Sequence, residues 1–201
     1  AFRIAEDKNV LLPTIVNMDG FILSHVIEPL IIPTKEKVKE FLPSFVPQQW
    51  LDVDNPISMG PVGVPEVYTE AKKAHEQALL ASKPIVQQAF DEWNKVFGRQ
   101  YNLIEQNGKE GAKTVFITMG SLGETCMTAV DEMNADGTDV RQVRIRLWRP
   151  FPEEEFMAAI DGAERLIVID RALSPGGVNG PVAAELKSLL YGVDNAPEIV
   201  N

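Results

Sequence analysis

Apolar positions between Glu66 and Phe97 recur at helical spacing: Val67, Ala71, Ala74, Ala78, Ile85, Ala89, Trp93 and Val96. One stripe of this kind predicts a long amphipathic helix. Pro84 lacks the N–H that the helix ladder needs, so the helix should kink or divide near Ser82. Gly98 is placed to end it, since glycine accepts the left-handed conformation of a C-terminal cap. From about residue 100 the pattern changes. Short apolar runs of strand length, "YNLIEQ", "KTVFITMG", "VRQVRIRLWRP" and "RLIVIDR", are separated by helical stretches over Leu122–Asn134, Pro152–Ile160 and Val178–Tyr191. Pro152 followed by three glutamates suits a helix start, where a missing N–H is harmless and negative charge meets the helix dipole. Alternation of strand and helix at this interval predicts a mostly parallel sheet covered on both faces, an α/β architecture.

The first hundred residues read differently. "VLLPTIVNMDG" is an apolar run bounded by turn residues and reads as a buried strand. "FILSHVIEPLIIP" follows, part helix and part loop. The stretch from 34 to 65 holds Pro43, Pro47, Pro56, Pro61 and Pro65 and has no sustained period. Its apolar residues, Phe41, Phe45, Val46, Trp50 and Leu51, should pin it to a neighbouring surface. Three regions result: 1–33, a Pro-rich connection with the long kinked helix over 34–99, and the α/β region 100–201. The opening "AFRIAEDKNV" has no initiator methionine and reads as a helix entered midway, as expected for a piece of a longer polypeptide.

Charge and cysteine content narrow the functions. A net charge of −10 disfavours nucleic acid and anionic lipid as partners. The single cysteine, Cys126, rules out an internal disulfide and a cysteine ligand set for an iron–sulfur cluster within these residues. A reducing cytoplasm is the expected setting. No apolar run approaches membrane-spanning length.

Four stretches carry candidate chemistry. "MGSLGET" (Met119–Thr125) resembles a phosphate-binding strand-turn-helix but has neither the three-glycine dinucleotide fingerprint nor the Lys of a Walker loop. Glu124 in the first helical turn would repel a phosphate. A tight turn capped by the Ser121 side chain is the favoured reading. "RLWRPFP" places Arg149 at the carboxyl end of a strand, where open α/β sheets bind ligands. Arg149 is expected to make a salt bridge or subunit contact, with an anion contact as the alternative. "VIDRALSPGG" places Asp170 and Arg171 at a similar edge, free to pair with each other or with other groups. "DGFILSH" brings Ser24, His25 and Glu28 close together, but without the Gly-x-Ser-x-Gly elbow of a hydrolase. His25 is expected to be buried and hydrogen-bonded. Two distant histidines and no calcium-type acidic loop argue against a metal site.

Taken together, "FRIAEDKNVLLPTIVNMDGFILSHVIEPL", "FLPSFVP", "FGRQYNLIEQ", "MGSLGET", "RIRLWRPFP" and "VIDRALSPGG", in that order, resemble the alpha subunit of 2-oxoacid:ferredoxin oxidoreductases of the pyruvate:ferredoxin oxidoreductase type. The resemblance spans essentially the whole chain. It implies that residues 1–33 are the tail of a pyrimidine-type thiamine-diphosphate domain. Residues 100–201 would be a three-layer α/β/α domain like the transketolase C-terminal domain. It further implies a complex that decarboxylates a 2-oxoacid on thiamine diphosphate with magnesium and passes electrons through [4Fe-4S] clusters to ferredoxin, usually yielding an acyl-coenzyme A. Pyruvate is the default substrate; 2-oxoglutarate, other 2-oxoacids and oxalate remain alternatives. The implied partners are a thiamine-diphosphate beta subunit, a gamma subunit, a ferredoxin-like subunit and ferredoxin itself. The cofactors would be bound mainly by other domains or subunits, so this segment is expected to be inactive alone. Ser24 and His25 would be its residues nearest the pocket or a domain seam. The competing readings are a nucleotide-binding α/β domain and a non-catalytic scaffold.

Overall fold

A computed structural model describes all 201 residues. They group into two compact units: residues 1–17 with 29–101, and residues 18–28 with 102–201.

The first unit is helical. It contains α1 (Phe2–Ala5), α3 (Lys35–Phe41), α4 (Pro65–Ala81) and α5 (Lys83–Phe97). The short α2 (Ile22–His25) belongs to the second unit. The expected long helix is divided at Ser82, whose hydroxyl donates to the Leu79 carbonyl at 2.6 Å; Pro84 lies in the first turn of α5. Gly98 caps α5 in the left-handed conformation, with its N–H donating to the Asn94 carbonyl. The packing centre is aromatic. Phe41 meets Trp93 edge-on at 5.2 Å and Phe97 at 5.9 Å, and Phe90 faces Tyr101 at 6.2 Å. Arg3 on α1 is tied to α5 by paired hydrogen bonds to Glu92 at 2.8 and 3.2 Å.

Two expectations for this unit fail. The run after Val10 is not a strand: Val10 is buried, but Ile15 and Val16 are exposed and pair with no neighbour. A strand is stable only beside another strand, and a local apolar pattern cannot supply one. Of the apolar residues thought to pin the Pro-rich stretch, only Phe41 packs inward. Phe45, Val46, Trp50 and Leu51 are exposed.

The second unit is built on a five-stranded sheet. The strands are β1 (Ile104–Gly108), β2 (Thr114–Met119), β3 (Val140–Ile145), β4 (Arg165–Val168) and β5 (Glu198–Val200). Their order is β1-β3-β2-β4-β5; β1 runs antiparallel to β3 and the other pairs are parallel. The helices are α6 (Leu122–Ala135), α7 (Glu153–Ala159) and α8 (Pro181–Leu189). Strand alternation sorts the faces. Val115, Ile117, Val143 and Ile145 join Phe156 and Ala159 of α7 and Val182, Ala183 and Leu186 of α8 in the main core. Cys126 and Val130 of α6 pack with Val140 and Phe116 in a second cluster. The result is the expected three-layer α/β/α arrangement. The brief β5 and the antiparallel direction of β1 had no sequence signal. No helix is long and apolar enough to cross a membrane.

Candidate functional site

From β2 the chain passes through α6 to β3, on one side of β2. From β3 it returns through α7 to β4, on the other side. The chain leaving β2 enters α6 in one layer, whereas the chain leaving β4 leads to α8 in the opposite layer. The carboxyl ends of β2 and β4 therefore form the topological switch point, the crevice where open α/β sheets take ligands. Two stretches flagged separately in the sequence, Gly120–Ser121 and Asp170–Arg171, meet there.

A third residue, from a distant part of the chain, fills the crevice. The Asp19 carboxylate accepts a hydrogen bond from the Ser121 backbone N–H at 2.5 Å, at the start of α6. Its other oxygen lies 3.3 Å from the Arg171 guanidinium, which also donates to the Ser121 hydroxyl at 3.3 Å. Hydrogen bonds from the Ser121 hydroxyl and N–H hold the Asp19 carboxyl below the usual carboxylate range, helped by the positive charges of Arg171 and Arg144. An anion does sit at this helix start, as the macrodipole favours, but it is the chain's own side chain.

The two glycines of "MGSLGET" now have separate reasons. Gly120 has φ +67°, and a Cβ on it would lie 2.7 Å from the Asp19 carboxylate. A Cβ on Gly123 would lie 2.6 Å from the Arg144 side chain, which crosses the first turn of α6 to reach Glu124 at 2.5 Å. Both glycines admit a protein side chain rather than a phosphate. The expected Ser121 cap does not form. Ser121 stands at the N-cap, but its helical backbone turns the hydroxyl away from the helix N–H groups.

Asp170 and Arg171 do not pair with each other. Asp170 accepts from the Val182 N–H at 2.7 Å and the Ala172 N–H at 3.2 Å, so it closes the start of α8. Gly180 leaves room for it, since a Cβ there would meet the carboxylate at 2.4 Å. Arg149 donates to Glu185 of α8 at 2.8 Å and lies over the Trp148 ring, its guanidinium carbon 4.5 Å from the centroid. Ser24 and His25 stand in α2, with the Ser24 hydroxyl 2.7 Å from His25 Nδ1. The Ser24 hydroxyl also accepts from the Phe21 N–H at 2.9 Å, and the Phe21 ring stacks on His25 at 5.2 Å. His25 is exposed, contrary to the expectation of burial, because a one-turn surface helix has no layer packed over it. Sequence reading missed Asp19 as a site residue: its partner Ser121 is 102 positions away, and no local pattern links them.

A thiamine diphosphate with magnesium needs free N–H donors for the phosphates and an oxygen ligand set for the metal. The helix starts at the switch point are occupied by Asp19 and Asp170. No group of three or more His, Cys, Asp or Glu side chains is placed to hold a metal ion. The Cys126 thiol is buried, and burial pushes its pKa up, away from the thiolate a metal would need. These residues do not fit the cofactor's diphosphate end.

Comparison with known proteins gives a consistent assignment. Residues 1–91 match the profile of the pyruvate flavodoxin/ferredoxin oxidoreductase thiamine-diphosphate-binding domain, and residues 112–201 match pyruvate:ferredoxin oxidoreductase core domain II. Pyruvate synthase subunit PorA of Methanothermobacter thermautotrophicus is 39% identical over 190 residues, covering 94% of this chain and 49% of that protein. PorA of Methanocaldococcus jannaschii is 39% identical over 193 residues, covering 94% and 50%. Ketoisovalerate oxidoreductase subunit VorA of Pyrococcus horikoshii is 36% identical over 203 residues, covering 98% and 50%. The chain thus spans about half the length of the curated relatives it matches. The chain belongs to the alpha-subunit family of the 2-oxoacid:ferredoxin oxidoreductases.

Proposed function

We propose that the chain is part of a complex that oxidatively decarboxylates a 2-oxoacid, with pyruvate as the substrate. The continuous similarity to pyruvate synthase PorA carries this reading. In the reaction the bond between the carboxylate and the 2-oxo carbon breaks, and carbon dioxide leaves. The two electrons released pass singly through [4Fe-4S] clusters to ferredoxin, and the acyl group goes to coenzyme A. Thiamine diphosphate with magnesium supplies the electron sink for decarboxylation, bound mainly by other domains or subunits. The filled helix starts at the switch point support that division of labour.

Within the complex this chain has a building role. Residues 1–33 are the tail of the pyrimidine-type domain, 34–99 the connection, and 100–201 the transketolase C-terminal-like domain. Arg149, Asp170 and Arg171 hold the structure at its loop edge, while Ser24 and His25 stand at a pocket or domain seam. The partners are beta, gamma and ferredoxin-like subunits in the cytoplasm, with ferredoxin as electron acceptor. The similarity to VorA supports a second reading, with ketoisovalerate as substrate.

The test is anaerobic viologen reduction by the native complex with thiamine diphosphate and coenzyme A, across pyruvate, 2-oxoglutarate, ketoisovalerate and oxalate. The highest kcat/KM is expected with pyruvate. A preference for ketoisovalerate would select the second reading. No reduction with any acid, from a complex with intact clusters, would leave a scaffold role in place of the enzymatic one.

A further inference from the structure

Residues 18–28 belong to the sheet unit, although the chain on both sides of them belongs to the helical unit. Little apolar burial explains that attachment. Met18, Phe21, Ile22, Leu23, Val26 and Ile27 are all exposed. Polar contacts do: the Asp19 carboxylate is seated on the Ser121 N–H and beside Arg171. Two residues after it, Phe21 has φ +66° and ψ −63°, a γ-turn conformation closed by the Ile22 N–H donating to the Gly20 carbonyl at 2.9 Å, and one that costs energy for a bulky residue. The strained residue turns the chain into α2, and its N–H is taken up by the Ser24 hydroxyl. The order along the chain is thus a fixed carboxylate, a strained turn, and then the Ser24–His25 pair.

We propose that Asp19 is a positioning residue: by occupying the switch point between β2 and β4, it fixes the Phe21–His25 turn and thereby presents the Ser24–His25 pair to the reaction site of the assembled enzyme. This rests on the enzymatic reading above for the reaction, but not for the anchor. The crevice used elsewhere for ligands serves here as a socket for the chain itself. Gly120 is part of the socket, since any Cβ there would displace the carboxylate. Arg171 supplies its positive wall and remains half-exposed, so charge rather than tight packing is what it contributes.

The experiment uses the full complex, with hydrogen exchange and steady-state kinetics read on the same preparations. Asp19→Asn keeps the shape and removes the charge; Gly120→Ala attacks the same contact from the other side; Arg171→Lys conserves the charge and Arg171→Gln does not. In Asp19→Asn, amide exchange within 18–28 is expected to rise about tenfold, as for the loss of a charge-assisted hydrogen bond, with β2 and β4 unchanged. The kcat for the oxoacid is expected to fall about tenfold with KM little changed, because a misplaced group loses transition-state rather than ground-state contact. Arg171→Lys should retain most of the wild-type behaviour, and Arg171→Gln should resemble Asp19→Asn. Lys113→Ala, at the opposite end of the sheet, should change neither readout. Unchanged exchange in 18–28 on Asp19→Asn would overturn the anchor. Raised exchange with unaltered kcat would overturn the positioning role and leave a structural contact only. A wild-type complex that oxidises no 2-oxoacid would defeat the enzymatic reading, while the exchange data would still judge the anchor.

Discussion

Arg141 is a buried charge in β3, on the face where its neighbours Val143 and Ile145 are apolar. Its guanidinium donates to the carbonyls of Ala112 at 3.1 Å, Ala159 at 2.8 Å and Asp161 at 2.7 Å. Burial pushes its pKa down, and the nearby Asp161 carboxylate partly offsets this. Three carbonyls from two different connections converge on one side chain, so Arg141 joins the loop before β2 to the end of α7. Arg141→Met fills the volume but leaves those carbonyls without their donor. A loss of about 3 kcal/mol of stability is expected, read as a lower midpoint in urea unfolding. A change under about 0.5 kcal/mol would mean that water reaches these carbonyls and that the tie is dispensable. The sequence offered no hint of this role, since "VRQVRIRLW" shows three arginines and two valines in a pattern that suits a surface edge equally well.

The strands and helices of the sheet unit follow the sequence pattern closely, and the places where they meet are set by glycine. Gly108 ends β1 with φ +97°. A Cβ there would stand 2.6 Å from the Val130 side chain, 2.7 Å from the Val140 carbonyl and 2.9 Å from the Arg141 Cα. Two of those three atoms are backbone and cannot swing aside. Gly108→Ala is therefore expected to cost about 3 kcal/mol through strain and displacement of β1 from α6 and β3, with a matching drop in thermal midpoint. An equal stability would show that β1 can shift without loss. The contrast with α4 is instructive. That helix is 17 residues long, starts with a proline and buries no residue fully, so it rests on propensity and on α5 rather than on a deep core.

At the scale of the molecule, the chain leaves a large apolar surface in contact with water. Ile27 is 99% exposed and Ile31 95%, and Leu30 and Ile32 beside them are exposed too. So many exposed large apolar side chains within six residues of sequence exceed the singly scattered ones that a monomeric surface ordinarily carries. Expressed by itself, this 201-residue segment is expected to self-associate at micromolar concentration, seen as concentration-dependent sedimentation. A single monomeric species across that range would show that the exposed stretch closes on itself. An earlier stretch, residues 10–16, misled the sequence reading: "VLLPTIV" has the composition of a buried strand, yet nothing in the chain pairs with it. Apolar composition reports that a segment avoids water, not whether a strand or a partner surface covers it.

The alternation of periods determined, without any coordinates, that residues 100–201 form an α/β sheet with helices on both faces, and that the long helix breaks at Ser82 and ends at Gly98. These are local matters: 3.6-residue and 2-residue repeats, a missing N–H at proline and the conformational freedom of glycine act within a few residues of their cause. Motif order along the chain determined the family as well. Tertiary structure alone decided what fills the switch point. Asp19, Ser121 and Arg171 are brought together by the folded path of the chain, and Ser121 stands 102 residues from Asp19. A turn that can receive an anion looks the same in sequence whether a ligand or the protein's own carboxylate arrives, because the free N–H and the helix dipole are common to both.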